Sequence, residues 1–474
     1  MELMIPLRNC PGWPYYSQIY SYIKEEIKKG SLRPSTRLPS TRLLADHLKV
    51  SRSTTQMAYE QLLSEGYIES IPCKGYYVCT IDGLVHTGQV QGVGISSPAG
   101  PAFGGKKTSS RKWNVDFSPR GIDLEAFPFN TWRKISKNTL VDDNKEMFAT
   151  GDPQGEQSLR EAIRIYLHSA RGVNCQAEQI IVGAGSEYLL MLLSQILGTG
   201  QVIAMENPTY KQAYRVFDSL KYRVVPVSMD RWGMNVELLE KSGADIAYVM
   251  PSHQYPTGIV MPVKRRQELL AWTYEKDGRY LIEDDYDSEF RYKGKPIPAL
   301  QGLDGRERVI YCGTFSKSIA PAIRVSYMVL PGPLLDIYRE RVSFYASTVS
   351  RIDQNIIYQF MSEGHYERHL NRMRSVYKSK HDVLTAGLKS FEDDFTIKGE
   401  NAGLHLLLTD KRERPEEMLI KKAEEAGVRV YGMSGYFIHK KHNTYPSTVV
   451  LGFARLTEKE IREGLELLKQ SWDL

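Results

Sequence analysis

Val309-Ile310-Tyr311 is an apolar run that gives way to Thr314-Phe315-Ser316-Lys317; Arg324 follows, and a second apolar run, Tyr327-Met328-Val329-Leu330, closes the stretch. Runs of β-branched and aromatic residues bounded by polar breaks read as strands. Lys317 therefore falls in the connection between two predicted strands. Upstream, Tyr280-Leu281-Ile282 runs into Glu283-Asp284-Asp285-Tyr286, so a third strand ends in carboxylates and a tyrosine.

The same pattern extends outward. From Trp113 onward helical spacing alternates with short β-branched runs, among them Ile180-Ile181-Val182, Val202-Ile203-Ala204-Met205 and Ala247-Tyr248-Val249-Met250. Strands separated by helices predict a mainly parallel, doubly wound α/β sheet over 113–474. Ligands of such sheets bind at the carboxyl ends of the strands. Each polar cluster here follows a strand: Gly183-Ala184-Gly185-Ser186-Glu187, Glu206-Asn207-Pro208-Thr209-Tyr210, Pro251-Ser252-His253-Gln254-Tyr255-Pro256-Thr257-Gly258, the acidic strand end, and Lys317.

Read as chemistry, these clusters suit pyridoxal 5'-phosphate. Gly185 and Ser186 before a helix predicted from Tyr188 to Leu197 offer backbone N–H groups to a phosphate, and Glu187 beside them has to turn away from it. Tyr210 can stack on a planar ring. One carboxylate of Glu283-Asp284-Asp285 can hold a pyridinium nitrogen protonated, which makes the ring an electron sink; taken alone, the same acidic end could bind Mg²⁺. Tyr286 can hydrogen-bond a phenolic oxygen. Lys317 supplies the Schiff-base amine, which burial and a nearby cation have to keep neutral, and Arg324 clamps phosphate.

The chain begins differently. Tyr16, Ile19, Tyr20, Ile23 and Ile27 recur at helical spacing and stop at Gly30. Ser40 is placed to cap a second helix bearing Leu43, Leu44 and Leu48, and Ser51 a third that reaches Glu65-Gly66. Two helices joined so closely form a helix-turn-helix. Tyr67–Ser70 and Tyr76–Cys79 read as strands around a wing, Pro72-Cys73-Lys74-Gly75. The N-terminus of the third helix then enters a major groove, with Arg52, Ser53, Thr54 and Gln56 facing bases or phosphates. A plain helical bundle that contacts protein shares this pattern. Charge bears on the choice, although a solvated basic face shares the same balance: residues 1–112 hold 14 Lys+Arg against 8 Asp+Glu, while the other 362 residues hold 48 of each. All the excess positive charge lies in the first quarter, as expected for a segment with a polyanion partner.

Between the two parts, residues 81–112 carry seven glycines with serines and no apolar period. A flexible chain of that composition spans roughly 30 Å. No apolar run reaches membrane-spanning length, and Met1 to Pro14 lacks the basic-then-apolar order of a secretory leader. Five cysteines, at 10, 73, 79, 175 and 312, are odd in number and lack metal-ligand spacing. They suit reduced thiols in a cytoplasm.

Residues 14–80 resemble the winged helix-turn-helix of GntR-family bacterial regulators through Leu38-Pro39-Ser40-Thr41-Arg42, Leu44-Ala45, Val50-Ser51-Arg52-Ser53-Thr54, Ala58-Tyr59, Leu62, Glu65-Gly66 and Gly75-Tyr76-Tyr77-Val78. The resemblance implies DNA contacts from Arg42, Arg52 and the wing with Lys74 and Gly75, beside Ser51, Ser53, Thr54 and Gln56 at the same helix end; Ser35 stands where the family usually has glycine. Residues 113–474 resemble fold-type I class I/II aminotransferases through Gly155, Leu159-Arg160, Gly185-Ser186, Asn207-Pro208-Thr209-Tyr210, Pro256-Thr257-Gly258, Asp284, Tyr286, Ser316-Lys317 and Arg324. By that resemblance Lys317 carries the cofactor, Asp284 (or Asp285) meets the pyridinium, and Ser186, Ser316 and Arg324 hold phosphate. The usual asparagine is Tyr255 here, and His253 or Gln254 is left to replace it.

A head at 1–80, a linker at 81–112 and a body at 113–474 together resemble the MocR/GabR-type regulators. That implies a head-to-tail homodimer on operator DNA, in a bacterial cytoplasm, sensing an amino compound or the cofactor itself. Arg429, in Gly427-Val428-Arg429-Val430-Tyr431, resembles an effector-carboxylate grip; Gln212 stands where a γ-aminobutyrate sensor carries a second arginine. Regulation without full turnover is the expectation, with a working aminotransferase bearing a DNA-binding head as the alternative.

Overall fold

The computed structural model describes residues 3, 5–8, 13–72, 74–80, 113–141, 145–292, 297–439 and 443–474. The predicted linker 81–112 and Cys73 of the wing lie outside them. The chain divides into two compact units, Met1–Thr108 and Ser109–Leu474.

In the first unit, α1 (Tyr15–Lys28), α2 (Thr41–Leu48) and α3 (Arg52–Ser64) precede a hairpin of β1 (Ile68–Ile71) and β2 (Gly75–Val78). Ile19, Ile23 and Ile27 of α1 are buried with Leu44, Ala58, Tyr59, Leu62, Ile68 and Val78. Ser40 and Ser51 do cap α2 and α3: each hydroxyl accepts from a backbone N–H three residues on, at 3.2 Å. Ser35 adopts φ 64, a left-handed conformation that favours glycine. Its N–H donates to Val78 O at 2.8 Å, which ties the α1–α2 connection to the wing.

The second unit starts with β3 (Val115–Asp116), then α4 (Phe129–Val141) and α5 (Gln157–Arg171). A large sheet follows: β4 (Ile180–Gly183), β5 (Val202–Asn207), β6 (Arg223–Asp230), β7 (Gly233–Met234), β8 (Ile246–Val249), β9 (Tyr280–Asp285), β10 (Val309–Thr314) and β11 (Ser326–Val329). Its spatial order is β4-β11-β10-β9-β8-β5-β6-β7. The β10–β9–β8–β5–β6 core is parallel, as predicted, while β11 runs against both its neighbours.

Alternate residues feed the two faces. Ile181 and Met328 pack toward α6 (Ser186–Leu197) and α7 (Lys211–Ser219), whereas Ile180, Val182 and Val329 pack toward α5. α6 begins at Ser186, two residues before the predicted start. Among the described residues no helix is long and apolar enough to cross a membrane.

Two features had no sequence forecast. β12 (Phe395–Lys398), β13 (His405–Asp410), β15 (Tyr431–Gly432) and β16 (Thr448–Gly452) form a separate antiparallel sheet in the order β12-β13-β16-β15. Leu406, Leu408, Val449 and Leu451 pack it against Leu384 and Leu465 of helices His365–Leu388 and Glu458–Ser471. In addition, β3 pairs in parallel with β14 (Val428–Arg429), placing Asp116 opposite Arg429. This pairing brings the N-terminal start of the unit back beside its C-terminal part and delivers Pro119 and Arg120 to the end of the large sheet.

Candidate functional site

Lys317 lies on a single helical turn, Phe315–Ser318, between antiparallel β10 and β11. Cys312 is level with Asp284 in the parallel β9–β10 register, so both strands end on the same side as Lys317. A cavity of about 340 Å³ opens there. Gly185, Ser186, Glu187, Tyr210, Asp284, Tyr286, Ser316, Lys317 and Arg324 all line it, and so does Gln212. Five separate strand ends converge on one space.

The Lys317 amine donates to the main-chain carbonyl of Arg120 at 3.0 Å. Burial brings its pKa down to about 8; the Asp287 charge opposes this and the Arg120 charge adds to it. A neutral, nucleophilic fraction is therefore present near neutral pH. Asp284 and Asp285 point to opposite faces of β9, as neighbours on a strand must. Asp284 is 8% exposed, lines the cavity and accepts from the Tyr248 hydroxyl. Burial pushes its pKa up to about 7, the condition of a carboxylate lacking a cationic partner. Asp285 instead pairs with Arg171 at 2.8 Å and accepts from Tyr311 at 2.5 Å, so of the two only Asp284 lines the cavity.

At the predicted phosphate seat, Gly185 has φ 92, and a Cβ there would stand 2.7 Å from Nη2 of Arg324. The glycine keeps the space between the α6 N-terminus and the guanidinium open. Arg324 Nη2 donates to Glu187 Oε2 at 3.2 Å, so Glu187 turns toward the arginine and its carboxylate occupies a position suited to an anion. The donor set fits pyridoxal phosphate at each end: an amine, a buried carboxylate without a cation, and an arginine holding an anionic oxygen.

Of the three expected effector residues, Tyr210 lines the cavity. His253 does not: its Nδ1 lies 3.0 Å from the Tyr286 hydroxyl and 2.9 Å from Asp287, behind the wall. It can reach the ring site only through Tyr286. Gln254 is consumed internally, donating to Pro208 O and accepting from Thr257. Arg429 also lies outside the cavity. It is exposed on β14, its guanidinium 5.1 Å from the Tyr431 ring centre and 5.9 Å from that of Trp113. Sequence reasoning missed Tyr248, Thr314 and Arg120. The first two sit on recognisable strands, but Arg120 had no signal, because the β3–β14 pairing that places it is non-local.

In the head unit, Arg42, Ser51, Arg52, Ser53, Gln56 and Lys74 are exposed and Thr54 and Gly75 half-buried. Among the described residues Arg42 and Arg52 make no ion pair. Ser51 bonds the hydroxyls of Ser53 and Thr54 at 2.8 and 2.7 Å, so these three shape the helix end together. Gln56 donates to Glu60 at 2.9 Å. Arg37, unremarked in sequence, bridges to Tyr77 beside the wing, and a Cβ on Gly75 would lie 3.6 Å from its Nε.

Residues 15–78 match the gntR family of bacterial regulatory proteins, and residues 123–468 match aminotransferase class I and II. The chain is 39% identical to the uncharacterized HTH-type transcriptional regulator YdeL of Bacillus subtilis (strain 168), covering 100% of both chains. It is 33% identical to the probable rhizopine catabolism regulatory protein MocR of Rhizobium meliloti, over 99% of this chain and 96% of that one. A crystal structure of a multiple substrate aminotransferase from Thermococcus profundus superposes with a TM-score of 0.68 at 26% identity, over 77% of this chain and 93% of that one. The cofactor of this aminotransferase body is pyridoxal 5'-phosphate. Matched along its whole length by such relatives, the chain belongs to the MocR-type branch of the GntR family and is a DNA-binding transcriptional regulator built on an aminotransferase fold.

Proposed function

We propose that this regulator, acting as a cytoplasmic, head-to-tail homodimer, reports an amino compound or the cofactor itself from the Lys317 cavity to operator DNA. Residues 1–80 read DNA, 81–112 link, and 113–474 sense. The observation that carries the reading is the convergence of Lys317, Asp284, Tyr286 and Arg324 on one cavity, in a chain whose capped α3 presents an exposed Arg52 with no ion pair among the described residues.

Bound there, pyridoxal phosphate supplies an aldehyde that condenses with primary amines and a ring that withdraws electrons. Arg324, Ser186 and Ser316 would hold its phosphate, with Glu187 giving up the arginine. Asp284 would meet the pyridine nitrogen, Tyr286, beside His253 and Asp287, would donate to the phenolic oxygen, and Tyr210 would cover the ring. Lys317 would offer its neutral amine to the aldehyde. Only a difference in effector affinity between two shapes of the body can then shift DNA binding.

The test pairs two measurements on the full chain. Absorbance with borohydride trapping reads occupancy of Lys317, and fluorescence anisotropy reads operator affinity as the cofactor and amines are added. Operator binding indifferent to every ligand, with a Lys317→Ala protein regulating normally, rules the sensing model out. The complete set of cavity residues supports a second reading, a working aminotransferase; steady turnover of an amino donor with a keto acid is its signature.

A further inference from the structure

Beside the cofactor cavity lies a second chamber of about 300 Å³, the share of roughly ten water molecules. Tyr210, Tyr255 and Arg120 border both spaces. We propose that Arg120 grips the carboxylate of the effector and that the chamber takes its side chain, so that the effector is an α-amino acid with a large aromatic or aliphatic side chain. The inference rests on the amine-sensing reading above.

Three observations carry it. The first is position. Lys317 Nζ is bonded to the Arg120 carbonyl at 3.0 Å, so this arginine belongs to the same corner as the reacting amine. An amine and a carboxylate borne on one carbon need anchors that close.

The second is availability. Arg324 is held by Glu187 and Arg171 by Asp285. Lys211 donates to the carbonyls of Phe437 and Ile438, and Arg429 stacks outside on Tyr431. Among the described residues no hydrogen bond or ion pair is found for the Arg120 guanidinium, which leaves its fork of donors open to a carboxylate.

The third is the lining. Tyr255 and Tyr436 meet edge to face at 5.2 Å, and their hydroxyls bond each other at 3.2 Å. The Tyr431 hydroxyl is spent on Asp116 at 2.9 Å. With the Tyr255 and Tyr431 hydroxyls engaged, four tyrosine rings supply much of the lining, a surface that suits apolar or aromatic groups. Glu416 is buried in the wall and accepts from the Ser434 N–H at 3.1 Å; burial raises its pKa. The other cation in the wall, Lys211, is tied to the carbonyls of Phe437 and Ile438, so a second carboxylate on the ligand has to displace those bonds. Dicarboxylic amino acids are accordingly disfavoured, and a short ω-amino acid leaves the chamber unfilled.

The experiment uses full-length protein loaded with pyridoxal phosphate and follows the cofactor absorbance during titration with L-phenylalanine, L-glutamate, γ-aminobutyrate and phenethylamine. L-Phenylalanine is expected to bind at least about tenfold more tightly than L-glutamate or γ-aminobutyrate. Arg120→Gln, with its cofactor band intact, is expected to weaken L-phenylalanine about ten- to a hundredfold while leaving phenethylamine unchanged, because only the former carries the carboxylate. Arg120→Lys should recover part of the loss, and Arg429→Gln should leave both ligands at wild-type affinity. Equal L-phenylalanine affinity in wild type and Arg120→Gln overturns the proposal, as does an equal loss in Arg429→Gln or a preference for L-glutamate or γ-aminobutyrate. A wild-type band that responds to none of the four overturns the amine-sensing reading and this inference with it; the other failures leave that reading standing.

Discussion

The DNA-facing helix and the cofactor cavity handle charge in opposite ways. At the head, Arg42 and Arg52 stand exposed, without ion-pair partners among the described residues. Behind the cavity wall of the body, charge is buried and paired: Arg171 and Asp285 are 4% and 1% exposed at the side chain and bond at 2.8 Å. A polyanion is met by cations that cost nothing to detach from neighbours. A cavity that has to choose among small molecules needs donors held in place, and pairing within a low-dielectric wall holds them. Asp284 is buried without an ion pair and Arg120 is open at the cavity edge, and both border the space for ligands.

Four substitutions probe this contrast, beginning with the largest effect. Lys317→Ala is expected to abolish borohydride trapping of the cofactor, read by mass spectrometry, while operator affinity in the absence of effector persists. In wild type the rate at which added cofactor attaches to the cofactor-free protein, read by absorbance, should climb as pH rises through about 8 and level off above it. The sign follows from the amine: its pKa is lowered by burial, and only the deprotonated form attacks. A rate that keeps climbing to the pH of an ordinary lysine breaks the argument for a desolvated amine.

Asp285→Asn should destabilise the body by about 3–5 kcal/mol, since it leaves Arg171 charged and buried without its partner; urea unfolding reads the shift. An equal cost for Arg52→Ala would erase the distinction between the regions. That variant is expected instead to leave stability nearly unchanged, to weaken operator binding about ten- to a hundredfold, and to reduce the slope of log affinity against log salt by about 1. Glu187→Gln should have the smallest effect, tightening cofactor binding up to about fivefold, because an exposed ion pair contributes roughly 0–1 kcal/mol and its carboxylate competes with phosphate for Arg324. A weaker cofactor complex would show that Glu187 supports the seat rather than contests it.

The head was the more legible region. Ser40 and Ser51 announced their helices because a cap acts within three residues, and Ile19, Ile23 and Ile27 announced a buried face because helical period is local. The body was legible where function follows a strand end, as at Gly185, Asp284 and Lys317. Elsewhere it was not. The antiparallel sheet of β12, β13, β15 and β16 carries no polar cluster to mark it. His253 and Arg429 both looked like ligand contacts, yet one sits behind Tyr286 and the other stacks on Tyr431 outside the cavity.

What the sequence determined by itself was the set of chemical groups and their order along strands. Caps, alternation and strand-end clusters are short-range properties, and a basic head on a neutral body is a matter of counting. Tertiary structure alone decided which of two adjacent carboxylates faces the cavity and which arginine reaches it. Asp284 faces inward and Asp285 does not because strand neighbours point apart and Arg171 waits on the other side. Arg120 reaches the amine because β3 pairs with β14, some three hundred residues away along the chain. No local pattern encodes that pairing, since its two strands come from opposite ends of the body.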